Sequence, residues 1–322
     1  MNLATYFATL NPMGLLKSIP GGVAQGLIWG ILAIGVYLTF RVLDVADMTV
    51  DGSFATGGAV TVMLILADVP VWIALLVAIA AGILAGIVTG ILHTLLGIPP
   101  ILAGILTQFV LYSINLHIMN MAANQSVNVD AHPLLLSSRY IPKSILISLV
   151  LMVVAIAFLY WFFGTEIGSA VRATGCNPNM SSAQGIDIRK TKVLGLALSN
   201  GLVALSGGLF AQYQGFADIN MGRGAIVIGL AAVIIGEVLY DAVFRKHHNF
   251  AGQMLFIFVG AILYYLVVIL VLWLRLNSND LKLFTALVVA IFLAVPNLKA
   301  KRSRAPKPAK SVEAKEEVED HA

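Results

Sequence analysis

Four aspartates lie at the edges of long apolar runs, where a carboxylate is unfavourable unless it has a specific role. Asp44, Asp47 and Asp51 lie in the segment Val42–Gly52 between two apolar runs, and Asp218 lies in a similar break later in the chain. An ionised carboxylate inside a membrane is costly unless it faces protein or water. Each aspartate is therefore expected either to line a water-filled path for a polar solute or to bond local backbone amides, as Asp51 would at a helix N-terminus and Asp47 with Thr49 would in a turn.

Both expectations can hold together, because the interrupted helices of transporters present their N-termini to the solute. Hydroxyl and amide side chains accompany the same aspartates. The candidate solute path consists of Asp47, Thr49, Asp51, Ser53, Asp218 and Asn220. Further uncharged polar groups, which suit an amino acid and a nucleoside equally well, are Gln108, Asn115, Asn200 and Gln214.

No residue pattern typical of catalysis accompanies these carboxylates. The chain lacks a Gly-x-x-x-x-Gly-Lys-[Ser/Thr] loop, so any ATP would have to be hydrolysed by a separate subunit. The histidines lack His-Glu-x-x-His spacing, and Cys176 is the only cysteine, which excludes an internal disulfide and a Cys-based metal site. We therefore expect no enzymatic activity, no catalytic residue, no metal and no cofactor.

The composition is that of a protein embedded in lipid. Apolar residues make up 59% of the chain, charged residues only 11%, and the mean hydropathy is +0.91. Charged residues make up about a quarter of an ordinary soluble protein. The net charge of +4 comes partly from a basic tail and favours contact with anionic lipid over contact with nucleic acid. An all-α polytopic membrane protein is the predicted fold class.

Apolar runs predict about nine transmembrane helices, within a range of eight to ten. They are Gly22–Phe40, Ser53–Ala67, Val71–Leu92, Ile101–Met119, Ser144–Phe163, Val193–Gln212, Ala225–Tyr240, Phe250–Leu274 and Leu281–Val295. These spans place a membrane domain at residues 22–298, followed by a charged tail, 299–322, with too few apolar residues to fold alone. Residues 1–21 are interpreted as an interfacial lead-in, because Pro12 and Pro20 argue against one long helix. A tenth span near residues 4–20 is the alternative.

Positive charges set the orientation. Lys and Arg are concentrated in the tail and in the polar insertion 164–192, which places both in the cytoplasm and the N-terminus outside. Glu237, inside the seventh span, is expected either to reach the inner surface with Arg245 or to pair inside the bundle.

Two short segments of the chain resemble each other. Ala46–Ser53 and Ala217–Gly224 both read Ala-Asp-apolar-polar-apolar and then a turn containing glycine. The spans that precede them run in opposite directions in the predicted topology. This pattern predicts two inverted repeats with interrupted helices at their interface, the arrangement found in many transporters.

The polar insertion 164–192 carries the signals of a short helix. Asn177 suits the N-cap, Pro178 suits the first helical position, and Gly185 suits a left-handed residue after the helix end. The predicted helix, Pro178–Gln184, lies outside the bilayer on the cytoplasmic side. A rigid element between two spans is suited to receive force from a soluble partner.

Several segments together resemble the permease subunits of bacterial ABC importers. The resemblance covers residues 22–296 and is carried by Tyr37 to Arg41, Asp47 to Gly58, Leu92 to Thr94, Ala103 to Thr107, and Arg172 to Ile186. The chain is similar to the branched-chain amino acid and simple-sugar permease superfamily. Within it the chain is most like the short permeases that work with lipoprotein-type binding proteins, including those proposed for tryptophan and other aromatic amino acids.

The resemblance implies a location, partners and a mechanism. A homodimer in the bacterial cytoplasmic (inner) membrane would accept a small solute from an outside binding (lipo)protein and move it inward by alternating access. Separate ATPase subunits would use the ATP and would dock on the coupling helix, which maps by position to residues 173–188. The coupling residues would be Pro178, Met180, Ala183, Gly185 and Ile186. A secondary transporter driven by an ion gradient is the alternative function.

Overall fold

The computed structural model describes residues 12–129, 131–244 and 249–273, together with the four helical positions 283, 286, 287 and 290. The predicted ninth span lies outside the described residues except for those four positions, and so does the tail. Helices account for nearly all regular structure, in the order α1 Pro12–Tyr37, α2 Val50–Leu66, α3 Val71–Thr94, α4 Pro100–Ile118, α5 Ile141–Gly164, α6 Glu166–Cys176, α7 Pro178–Ala183, α8 Ile188–Gln214, α9 Ala225–Val243 and α10 Phe250–Trp273. Two short strands, β1 Asn124–Ser126 and β2 Phe216–Asp218, pair antiparallel.

Seven of the described helices are long and apolar enough to cross a membrane: α1, α3, α4, α5, α8, α9 and α10. The shorter apolar helix α2 makes an eighth apolar element. The protein is therefore an all-α, multi-pass membrane protein, as its composition predicts.

Helix α1 begins earlier than expected. It starts at Pro12 and continues through Pro20, so the prediction that these prolines prevent one long helix is wrong. Pro12 occupies the first turn, where a backbone N–H has no helical partner. Pro20 lies on an exposed turn of the helix. The α-helix then passes into a π-helical turn, Leu38–Val42.

After the π-helical turn the chain folds back into the bundle before α2 begins. Asp44 adopts a left-handed conformation, φ 53°, where the chain reverses. Helix α2 then starts beside the middle of α8. The hydrogen bond that the Oγ of Ser53 donates to the Oδ1 of Asn200 at 2.6 Å shows this position. The first predicted repeat therefore contains an interrupted helix.

The second break in the helices follows α8 and, like the fold-back before α2, returns the chain to the bundle. Gly215 (φ 80°) ends α8, and Gly224 (φ 87°) precedes α9. Between them the chain returns to the bundle interior, where Gly222 packs on Asp51; a Cβ added at Gly222 would lie 2.0 Å from the Asp51 carbonyl oxygen. The two breaks therefore meet.

Helix packing follows one scheme in both halves. Helix α8 packs on α2 and α3, while α1 packs on α9 and α10, and α1 and α8 contact each other. Small residues allow both close approaches: Gly26 and Gly30 of α1 face α10, and Gly82 and Gly86 of α3 face α8. The hydroxyls of Ser199 and Ser206 donate to carbonyls of α1 at Gly35 and Ile28 respectively, so α1 and α8 run antiparallel. This arrangement agrees with the predicted inverted repeat.

Candidate functional site

The two similar segments, residues 46–53 and 217–224, also form similar turns. The Oδ1 of Asp47 accepts a hydrogen bond from the backbone N–H of Thr49 at 2.8 Å. The Oδ1 of Asp218 accepts one from the backbone N–H of Asn220 at 2.7 Å. Both aspartates therefore organise a local turn, which is the second of the two roles expected for them.

Asp47 belongs to a buried polar network between the fold-back and α8. Its Oδ2 accepts from the Nδ2 of Asn200 at 2.7 Å, and the Oδ1 of Asn200 accepts from Ser53. All three side chains are fully buried. A second set of buried hydroxyls joins three elements: Thr49 bonds Thr89 of α3 at 2.7 Å, and Thr89 bonds Thr107 of α4 at 2.8 Å.

Asp51 joins the two halves directly. Its Oδ2 accepts from the backbone N–H of Gly224 at 3.0 Å, and its Oδ1 accepts from the backbone N–H of Ile226 at 3.0 Å. The carboxylate thus caps the N-terminus of α9 from the first turn of α2. An acidic group is favoured there because the first amides of a helix have no partner in the helix itself.

A cavity of about 230 Å³ lies where the two breaks meet α4. Its charged and amide side chains are Asp51, Gln108, Asn115, Asn220 and Arg223, and its aromatic side chains are Phe109 and Tyr112. The cavity therefore combines a polar floor with an aromatic wall.

Two of the six candidate path residues, Asp51 and Asn220, line this cavity. Asp47, Thr49 and Ser53 lie in the buried networks beside it, and Asp218 does not line it. The sequence did suggest Gln108 and Asn115 as polar path groups, but it did not suggest Tyr112 or Arg223. One signal was present: Gln108, Tyr112 and Asn115 are spaced four and three residues apart and so share one face of α4.

The polar insertion contains two helices where the sequence predicted one. The short helix α7 is confirmed, with the Oδ1 of Asn177 accepting from the N–H of Met180 at 3.0 Å and Gly185 at φ 83° beyond its end. The additional helix α6 is capped by Thr165, whose hydroxyl accepts from the N–H of Gly168. Along α7, Pro178, Met180 and Ala183 are exposed.

The start of α8 is capped as well. The Oδ1 of Asp187 accepts from the backbone N–H groups of Arg189 and Lys190. The backbone hydrogen bond from Lys190 lowers the pKa of the Asp187 carboxyl below its ordinary value. The end of the insertion is therefore held in a fixed geometry against α8.

Helix α6 connects the polar insertion to the fold-back. Gly175 packs so closely on the π-helical turn that an added Cβ would lie 1.9 Å from the carbonyl oxygen of Val42. Gly195 of α8 packs on Leu43 in the same region. A displacement of α6 would thus be transmitted to the residues that precede Asp47.

Glu237 pairs with a partner that the sequence had not offered. The Nε of Arg41 donates to its Oε1 at 2.8 Å and to its Oε2 at 3.1 Å. Arg245, the partner considered from the sequence, lies outside the described residues. The pair joins the π-helical turn after α1 to α9.

Metal binding finds no support in the part of the chain that the structure describes. No group of three His, Cys, Asp or Glu side chains comes together there in a way that could hold an ion. The side chains that line the cavity offer hydrogen bonds, charge and aromatic surface.

Comparison with known proteins shows which family the chain resembles. Residues 18–296 match the family described as branched-chain amino acid transport system / permease component. The chain is 38% identical to a tyrosine transport system permease protein of Clostridioides difficile (strain R20291) over 283 residues, which cover 88% of this chain and 92% of the relative. It is 33% identical to an uncharacterised protein of Rickettsia prowazekii (strain Madrid E) over 276 residues, 84% of this chain and 94% of that protein. No solved structure matches the chain.

Proposed function

The chain belongs to the branched-chain amino acid transport permease family, and on that basis we propose that it is the membrane subunit of an ABC importer for an amino acid. A separate ATPase would supply the energy, and the solute would cross by alternating access. The multi-pass fold and the family agree with this role, and both favour a transporter over an enzyme. The proposed location is the bacterial cytoplasmic membrane, with the tail 299–322 in the cytoplasm.

One observation carries the proposal furthest: the cavity and the cytoplasmic helices are joined by a continuous packed connection. Helix α7 packs on α6, and Gly175 of α6 contacts the π-helical turn at Val42. The same turn leads through Asp44 to Asp47 and Asp51, beside the cavity. Force applied to α7 would therefore reach the solute path without passing through a mobile linker.

The ATPase is proposed to dock on α7 and the residues that follow it. Pro178, Met180, Ala183 and Gly185 are exposed, and the Met180 side chain is 57% exposed. Ile186 is half-buried and fixes the end of the segment. Exposed apolar side chains on a capped helix are suited to a hydrophobic cleft of a soluble partner.

A second copy of the chain is proposed to complete the path. The aromatic wall of the cavity is open, with Phe109 68% and Tyr112 43% exposed. Lipid cannot satisfy the polar floor behind that wall. A homodimer formed across α4 would enclose the cavities between two copies, and an outside binding (lipo)protein would deliver solute to them.

Amino-acid uptake is the direct test. The permease would be reconstituted in liposomes with its partner ATPase and binding protein, and uptake of the twenty amino acids, with tyrosine first, would be measured with and without internal ATP. We expect uptake that requires both ATP and the ATPase. Uptake that instead follows a proton or sodium gradient without the ATPase would favour the secondary transporter and reject the proposal.

A further inference from the structure

An apolar groove of about 260 Å³ lies between α5 and the neighbouring helices α3 and α8. Its walls are Ile79 and Ile83 of α3, four residues of α5 from Leu151 to Phe158, and four residues of α8 from Leu198 to Leu205. None of these residues carries a polar side chain. The groove shares no residue with the polar cavity between the two breaks, so it is a separate feature of the molecule.

The groove is open to the outer surface of the helices. Gly82 and Gly86 bring α3 into close contact with α8, so these two helices form one wall. Helix α5, which forms the other wall, packs chiefly on α1. On its edge of the groove, Val154 is 57% exposed and Phe158 is 44% exposed. All three helices are long and apolar enough to cross a membrane, so the groove opens towards lipid hydrocarbon.

Water is a poor occupant of such a groove. An apolar space offers water no hydrogen bond, and apolar cavities in proteins stay dry. A lipid acyl chain has no polar group to satisfy and would contact three helices at once in the groove. It would gain more van der Waals contacts there than on the flat side of a single helix.

A positive charge lies at the end of the same helices. The Nζ of Lys192, at the start of α8, donates to the Nε2 of His93 at 3.4 Å, and both residues are half-buried. Within the described part of the chain, no carboxylate forms an ion pair with Lys192. His93 follows Ile79 of the groove by fourteen residues, about four helical turns, so the two lie on the same side of α3. An ammonium placed between membrane helices in this way favours an anionic lipid headgroup.

The spacing between the charge and the groove fits one lipid molecule. Lys192 precedes Leu202 by ten residues, which is about 15 Å along a helix and about half of the hydrocarbon thickness of a bilayer. Between them, Leu194 is 38% exposed and shares one face of α8 with Leu198 and Leu202. An apolar strip therefore runs from the charge into the groove.

We propose that this groove binds one acyl chain of an anionic phospholipid, with the lipid phosphate at Lys192 and His93. The acyl chain follows Leu194 into the space between α5 and the wall formed by α3 and α8. Helix α5 leads directly into α6, so the bound lipid steadies the helix from which the polar insertion begins. The lipid site does not depend on the proposed function, because none of its residues lines the candidate solute path.

Photo-cross-linking locates the acyl chain. The full-length protein is placed in phosphatidylcholine nanodiscs with a small fraction of phosphatidylglycerol that carries a diazirine near the middle of one acyl chain. Cross-links are expected at residues 151–158 and 198–205. Unlabelled phosphatidylglycerol should compete about fivefold better than phosphatidylcholine, which is the effect of one cation beside an anionic lipid. Cross-links spread evenly over the exposed helix faces, or equal competition by the two lipids, would overturn the proposal.

Two pairs of variants separate the acyl chain from the headgroup. Val154→Trp fills the groove and should remove most of the cross-linking, whereas Val150→Trp changes the same residue type at a position that is 52% exposed and does not line the groove, and should have no effect. Lys192→Gln should abolish the preference for phosphatidylglycerol while cross-links remain in the groove. Lys143→Gln removes an exposed charge near the other end of α5 and should leave the preference unchanged. Equal results within either pair would contradict the assignment.

Thermal unfolding gives a second readout. Phosphatidylglycerol should raise the Tm of the unmodified protein and of Val150→Trp above their values in phosphatidylcholine, because a ligand that binds only the folded state stabilises it. The rise should be absent in Val154→Trp, and a rise of the same size there would reject the site. A second copy of the chain covering the groove would leave it without lipid cross-links, which would also reject the site.

Discussion

The carboxylate of Asp51 and the backbone amide of Gly224 lie 3.0 Å apart, although 173 residues separate them in the chain. One belongs to the first turn of α2 and the other precedes α9, the two helices that begin at the breaks. The contact therefore fixes the two halves of the protein to each other at the edge of the cavity.

Replacing Asp51 should uncouple these halves in a graded way. Asp51→Ala leaves two amides at the start of α9 without an acceptor and should lower the free energy of unfolding by about 2 kcal/mol, whereas Asp51→Asn keeps one acceptor oxygen and should lose about half of that. Amino-acid uptake should fall in both while the ATPase stays bound. Thermal unfolding in detergent and uptake in liposomes measure the two effects. Equal stability of all three proteins would show that the contact does not hold α9.

Asn200 should be among the least replaceable polar residues. Asn200→Ala removes the partners of both Asp47 and Ser53 inside the bundle, so a loss of about 2–4 kcal/mol in unfolding free energy is expected. Its neighbour Ser199 is a matched control, because it is equally buried and makes one hydrogen bond to a carbonyl of α1. Ser199→Ala should cost about 1 kcal/mol. The prediction fails if thermal unfolding shows the same loss for both variants.

Two glycines of the polar insertion 164–192 test whether the contact between α6 and the π-helical turn transmits force. A Cβ at Gly175 would overlap the carbonyl of Val42, whereas a Cβ at Gly164 would meet nothing within 4 Å. Gly175→Ala should therefore shift α6 away from the π-helical turn, cost about 1–3 kcal/mol and reduce ATP-driven uptake more than ATP hydrolysis. Gly164→Ala should change neither, and uptake and hydrolysis measured in the same liposomes compare them. Full coupling in Gly175→Ala would exclude this connection as the path of force.

The pair formed by Arg41 and Glu237 should contribute little to stability but measurably. Its side chains are 58% and 21% exposed, so solvent weakens the interaction. A double-mutant cycle with Arg41→Ala and Glu237→Ala should give a coupling of about 0.5–1 kcal/mol, which should shrink in high salt. Additive effects of the two single changes would mean that the pair does not form in solution.

The sequence predicts those parts of the fold that depend on neighbouring residues in the chain. Apolar length and composition place the spans, and the cap at Asn177 with Gly185 places α7. The two prolines misled the placement of α1, which starts at Pro12 and continues through Pro20 on an exposed turn. Helix α6 was not predicted. Its apolar face lies within a polar insertion, and it can be recognised only when α8 and the π-helical turn are known to pack against it.

The cavity was only partly predictable. Asp47 and Asp51 look alike in sequence, yet one satisfies its carboxylate inside the bundle and the other caps a helix 173 residues away. No local pattern separates these outcomes, because they depend on where Asn200 and Gly224 come to lie. Arg223 is not among the path residues that the sequence suggests, and the fold-back of residues 215–224 brings it to the cavity.

Helices α6 and α7 are proposed to face the cytoplasm, where an ATPase can reach them. The single cysteine, Cys176, is exposed at the end of α6 and reports on this without any substitution. A membrane-impermeant maleimide should label it rapidly in inside-out vesicles, more slowly once the ATPase is added, and not at all in intact cells. Rapid labelling of Cys176 in intact cells would place the segment outside and contradict the account.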